Sequence, residues 1–177
     1  RSSASALQKS VADQLNDLQE NTTTASKSEV DDFEAAVQAA SSDWDRFHRN
    51  YDSYRTIKDG LEPDEAADLL GDLVDEFRGV VLAIRDLPAT PSTEAVASLL
   101  AIAVEDEDLA LRLLRGAPPS SEENGDVLGA GDPTLFDFFD AQVVEANSAR
   151  RQAWQQLASA LESVSLDSRN AVEAFAG

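Results

Sequence analysis

Residues 30–54 read VDDFEAAVQAASSDWDRFHRNYDSY, and the spacing of their large apolar side chains decides the fold. Val30, Phe33, Val37, Ala40, Trp44, Phe47, Tyr51 and Tyr54 follow one another at intervals alternating between three and four. A helix gathers such positions onto one face, whereas a strand would scatter them over both. Sustained beyond three heptads, the pattern predicts a coiled-coil-like seam, bulky and aromatic in its C-terminal half. Ser28 with Asp31 resembles a capping box at the start of this helix. Gly60 closes it, and Pro63 stands near the start of the next.

The same spacing continues outward. Upstream, Leu7, Val11, Leu15 and Leu18 predict a short N-terminal helix, separated from the seam by the polar run Asn21-Thr22-Thr23-Thr24-Ala25-Ser26. Residues 1–26 are therefore expected to be a helix and a linker. Downstream, residues 63–87 carry a wide apolar stripe from Ala66 to Leu87, wide enough to touch two neighbours. After a Pro88–Pro91 turn, Ser92 or Thr93 can cap a helix that runs to Arg115 and stops at Gly116 and Pro118-Pro119. Residues 117–132 (APPSSEENGDVLGAGD) have the composition of an acidic flexible loop. Asp132-Pro133 then opens a last helix reaching about Phe175, with a break expected near Ser165–Ser168. Short connections force neighbouring helices to alternate in direction. The expectation is one all-α domain: an antiparallel up-down bundle of four long helices plus the short N-terminal one.

Composition agrees. Alanine is abundant, strand-like alternation is absent, and Gly and Pro total only 14 of 177 residues. Cysteine is absent, which excludes disulfides, thiolate metal sites and cysteine nucleophiles. With His48 the single histidine, multi-histidine zinc sites cannot form within one chain. The net charge of −20 argues against nucleic acid as a partner. Acid spread along every segment, with 34 carboxylates against 14 basic residues, suits a surface adapted to high salt. A surface made for a basic partner or for cations is the alternative. No apolar run is long enough to span a bilayer, so any membrane attachment would come from an anchor outside this chain. The chain begins with Arg1 rather than Met, as a processed or trimmed product would. Asn21-Thr22-Thr23 matches a glycosylation sequon, which matters only on export.

Four groups carry candidate chemistry. Asp45, His48 and Asp52 fall broadly on one helical face, with Asp43 alongside, and could surround a metal ion; a solvated face paired with Arg46, Arg49 and Arg55 competes. In Glu105-Asp106-Glu107-Asp108, a seam through Leu99, Ile102, Asp106, Leu109 and Leu113 would place Asp106 in the core. A buried carboxylate needs a partner, and Glu145, Arg78 and Arg85 are candidates. Glu122, Glu123, Asp126 and Asp132 lie among glycines in the loop but lack the alternation of a calcium-binding loop. The aromatic group of Trp44, Phe47, Tyr51, Tyr54 and Trp154 reads first as core and second as the lining of a small-ligand pocket. No hydroxyl sits in a nucleophile elbow, and no cofactor motif is present. The sequence-level expectation is a non-catalytic bundle, exported or displayed at a cell surface or in a periplasm, acting in assembly, self-association or protein-partner binding. A ligand-sensing receptor domain and a carboxylate-rich cation binder are the alternatives.

Overall fold

The computed structural model describes the backbone of residues 2–116 and 133–176, with side chains over 10–16, 27–116 and 134–164. Four α-helices account for it: α1 (Ser2–Ile57), α2 (Pro63–Arg85), α3 (Glu94–Gly116) and α4 (Pro133–Ala176). A single 3-10 turn, Lys58–Gly60, joins α1 to α2. The architecture is an all-α antiparallel bundle in which α1 packs on α2, α2 on α3, α3 on α4, and α4 back on α1.

Every residue of the quoted seam is buried, from Val30 through Trp44 and Phe47 to Tyr54. Phe33, Trp44, Phe47, Phe77 and Phe139 are fully enclosed, and each such burial contributes about 2–3 kcal/mol. The α1 aromatics are met by α2 and α4. Phe47 stands 4.6 Å from Phe77, and Tyr51 stands 4.5 Å from Phe139, between ring centroids. The wide stripe of α2 buries Leu70, Leu73, Val74, Phe77, Val80, Val81 and Ile84 and touches both α1 and α3, as its width requires. Pro63 is the first residue of α2, where its missing N–H costs nothing. Thr93 precedes α3 and is fully buried; its hydroxyl accepts from the Thr90 backbone N–H at 2.9 Å and so closes the Pro88–Pro91 turn.

Three sequence expectations change. The N-terminal helix and the seam helix are one continuous helix of 56 residues. The run at 21–26 lowers helix propensity by a few tenths of a kcal/mol per threonine or asparagine but contains neither proline nor glycine, so nothing breaks the backbone ladder. Ser28 consequently caps nothing. Helix α4 likewise runs unbroken past Ser165–Ser168. The acidic loop 117–132, with Glu122, Glu123, Asp126 and Asp132, lies outside the described residues.

The third change concerns α3. Its buried face is Val96, Leu100, Ala103, Val104, Glu107, Ala110, Leu111 and Leu114. Ile102, Leu109 and Leu113 of the expected seam are exposed, and so is Asp106. Helix α3 carries two apolar stripes, and either one would take a carboxylate into the core. The stripe that wins buries more apolar positions per turn, with small alanines that admit α2 and α4 closely. Its acid is also one methylene longer.

Candidate functional site

That longer acid is the centre of a polar cluster inside the bundle. Glu107 is 0% exposed. It points from α3 across the bundle axis to the diagonal helix α1, where Trp44 Nε1–H donates to Oε2 at 2.8 Å. One turn further along α1, His48 Nε2 lies 2.5 Å from Oε1. Trp44 and His48 are at i and i+4, so one helical face presents both rings to one carboxylate. The two ring nitrogens together satisfy both oxygens, which is the condition for a carboxylate to be held away from water. His48 is slightly exposed, so its ring bridges the buried acid and the surface.

Arg150 of α4 closes the cluster from the other side. Its guanidinium lies 4.8 Å above the Trp44 ring. It pairs with Asp45 at 2.8 Å, donates to the Ser41 carbonyl at 3.3 Å and reaches Asn147 at 3.2 Å. Only 8% of Arg150 is exposed, and its Nε has no hydrogen-bond partner. The buried carboxylate and the buried guanidinium therefore sandwich the same indole, one at its edge and one over its face. This is the arrangement the ring quadrupole favours.

Beside the cluster a shallow cleft of about 190 Å3 opens between α1 and α4, lined by His48, Tyr51, Asp52, Asp140, Val143 and Asn147. Arg55 spans its upper edge, bonded to Asp140 at 2.9 Å and donating to the Tyr51 hydroxyl at 3.2 Å. Burial raises the Tyr51 phenol well above its ordinary value, against the smaller lowering effect of the Arg55 hydrogen bond. Burial raises Tyr54 in the same direction. Both rings therefore stay protonated through any physiological pH and serve as hydrogen-bonding groups. The cleft offers an imidazole, a phenol, two carboxylates and an amide, and among the described residues no serine, threonine or lysine lines it beside His48.

The residues singled out from sequence fare differently. His48 and Asp52 share the cleft, and Asp45 is engaged by Arg150 rather than left to bind an ion. Asp43 pairs with Arg46 at 3.1 Å. Asp106 and Glu145 are both exposed, and of the two arginines offered as partners Arg85 pairs with Glu105 at 3.4 Å. Among the described residues no group of three or more His, Asp and Glu side chains is placed to hold a metal ion. Sequence reasoning missed Glu107 and Arg150. The signal for Glu107 was available: a seam carrying a Trp and an adjacent His leaves ring N–H groups in the core that need an acceptor, and the acids of α3 supply it. Arg150 had no such signal, because an arginine among alanines reads as a surface residue.

Comparison of the chain with protein-family models, with characterised proteins and with solved structures finds no match in any of the three. Fold and site therefore define the chain only as an all-α bundle with a buried, charged interhelical cluster. No described helix is long and apolar enough to cross a membrane.

Proposed function

We propose that the chain is a non-catalytic binding bundle that engages a protein partner through the outer face of α3. One observation carries this reading: Ile102, Leu109 and Leu113 are 61%, 58% and 47% exposed and lie on one α3 face at i, i+7 and i+11. Leu99, half-buried, continues the stripe by one turn. Single exposed aliphatic residues are ordinary, and Leu82 and Val144 are examples on this surface, but three in register along one face of one helix form a row in a chain of net charge −20. The spacing suits an amphipathic partner helix laid along the face. Asp106 stands within the stripe, between Ile102 and Leu109, and Glu105 lies beside it, so the complementary helix carries a basic residue in its apolar row opposite Asp106 and another at its edge.

A synthetic amphipathic peptide with leucines in helical register and flanking lysines is the probe, and a scrambled peptide of the same composition is the control. Binding of the first alone, lost in Leu109→Gln/Leu113→Gln, supports the reading. Equal binding of the scrambled peptide, or binding indifferent to the substitutions, overturns it. An extracytoplasmic location belongs to the same proposal, and glycosylation found at Asn21 of the native protein would support it.

The helix lengths favour a second reading. Helices α1 and α4 have 56 and 44 residues against 23 each for α2 and α3, so they span about 84 and 66 Å against about 35 Å. The ion pairs Arg55–Asp140 and Arg150–Asp45 set α1 and α4 antiparallel, so both long helices outrun the four-helix layer at the same end. Such a pair suits a ligand-sensing bundle that relays a change through two adjacent helices. A membrane-spanning segment encoded next to this chain in the gene would favour it over the first reading.

A further inference from the structure

A second cleft, on the flank of α3 that meets α2, is larger than the one beside His48: about 340 Å3, lined by Val74, Asp75, Arg78, Arg112, Arg115 and Gly116. Three of the chain's 14 basic residues converge there, in a molecule whose net charge is −20. The convergence is built by both helices. On α2, Gly71, Asp75 and Arg78 follow one another at i, i+4 and i+7. The Arg115 guanidinium lies across Gly71, where an added Cβ would meet its Nη2 at 3.7 Å, an ordinary van der Waals contact, so the side chain packs on α2 without needing a glycine there. On α3, Arg112 is held by Asp108 through Nε at 3.0 Å.

Two features set this cleft apart from chance. Arg46, Arg55, Arg85, Arg112 and Arg150 each find a carboxylate, as they should where acids outnumber bases by more than two to one. Arg78 and Arg115 form no ion pair among the described residues; Arg49 and Arg151 are also unpaired, but only Arg78 and Arg115 stand together at one cleft, beside Arg112. The C-terminal dipole of α3 accounts for arginines in its last turns, but not for Arg78 in the middle of α2. Guanidinium groups brought together without anions repel one another, and a bound anion removes that cost while offering paired acceptor oxygens to planar donors. Asp75 adds an acceptor to the same wall. An anion that carries a proton on one oxygen satisfies it, and one without such a proton meets only its charge.

We propose that this cleft binds a phosphate group, with Arg78, Arg112 and Arg115 donating to its oxygens and Asp75 accepting from its protonated oxygen. The site lies on the opposite flank of α3 from the exposed Ile102–Leu113 stripe, so the two proposals stand or fall separately.

The test is calorimetric titration of the full chain with inorganic phosphate, a simple phosphomonoester and sulfate, all at one ionic strength set with KCl. Heat of binding for phosphate, with sulfate weaker by about tenfold, is expected from the loss of one hydrogen bond to a charged group. Binding of the phosphomonoester as well points to a phosphorylated metabolite, and its exclusion points to the free ion; either supports a phosphate site. Arg78→Gln and Arg115→Gln should each weaken binding about tenfold for the same reason. Both side chains are exposed, so the melting temperature in KCl alone should not fall. Asp75→Asn should bring sulfate level with phosphate. No binding beyond the KCl control, or phosphate binding unchanged in the Arg78→Gln/Arg115→Gln double variant, overturns the proposal. Sulfate binding as tight as phosphate in the unaltered chain removes the phosphate assignment.

Discussion

Replacing His48 by leucine should destabilise the bundle more than removing both His48 and its partner Glu107. In the His48→Leu variant the Glu107 carboxylate stays fully buried and keeps one donor, the Trp44 indole at 2.8 Å. Leaving a buried charge without its main partner costs about 3–5 kcal/mol. Glu107→Leu removes the charge and fills its place with carbon. It leaves the indole N–H unpaired, while His48, partly exposed, can turn toward the cleft. One orphaned buried donor costs about 1–3 kcal/mol. The double variant has that same single orphan and no buried charge, so its cost also falls near 1–3 kcal/mol. The double loss matches the Glu107→Leu loss, so the summed single losses should exceed it by the His48→Leu cost, about 3–5 kcal/mol, at or above the upper range for residues in direct contact. Urea unfolding followed by far-UV circular dichroism, at one KCl concentration and with unchanged m values, measures all three. Additive losses, with the double variant the least stable, would show that the Glu107–His48 contact carries no coupling and that the cluster is not a unit.

Other perturbations test other parts of the molecule. Phe77→Ala opens a void between Trp44 and Phe47, 6.2 and 4.6 Å away by centroid, and should cost about 3–5 kcal/mol in the same urea assay. Tyr51 has its folded pKa raised by burial above the unfolded value of 10.0, so its contribution to stability is intact below that pH and is lost as pH rises beyond it. Tyr51→Phe should flatten the alkaline decline in melting temperature, and a decline identical to the parent's would refute the assignment. The charge of −20 predicts higher stability at molar than at low KCl, as the screening length falls from about 10 Å at 0.1 M to about 3 Å at 1 M. A melting temperature indifferent to KCl would exclude salt adaptation. Substituting Ile102, Leu109 and Leu113 by glutamine should change unfolding free energy by no more than about 0.5 kcal/mol per site, since none is buried.

How much the residues disclosed in advance depended on whether one face or several competed. The α1 seam is legible because Val30 to Tyr54 offers a single apolar stripe with charged residues on its other sides, and every member is buried. Helix α2 is legible for a related reason: its stripe is too wide for one neighbour, and two cover it. The site was legible by half. His48 and Asp52 share a cleft, and the need for a buried acid on α3 followed from the run at 105–108. Which acid it is did not follow, because adjacent carboxylates differ by 100° around a helix and propensity does not distinguish them. Arg150 was illegible because its burial depends on α1, where Asp45, the Ser41 carbonyl and the face of Trp44 happen to converge.

The choice between Asp106 and Glu107 determines both surfaces of α3. Rotating α3 to bury Asp106 would have taken Ile102, Leu109 and Leu113 inward and turned Val104, Leu111 and Glu107 outward. The bundle would then keep a hydrophobic face but lose the acceptor that Trp44 and His48 require, and a shorter carboxylate would have to reach the diagonal helix. The observed rotation satisfies the indole and the imidazole at 2.8 and 2.5 Å. Its cost is the exposure of three large aliphatic side chains, which loses about 25 cal/mol for each Å2 left in water. A helix that satisfies its buried polar group and leaves its second apolar stripe in solvent has resolved a conflict between two local preferences. Such conflicts concentrate where a surface has another use, and for that reason we propose the face of α3, rather than the His48 cleft, as the binding surface.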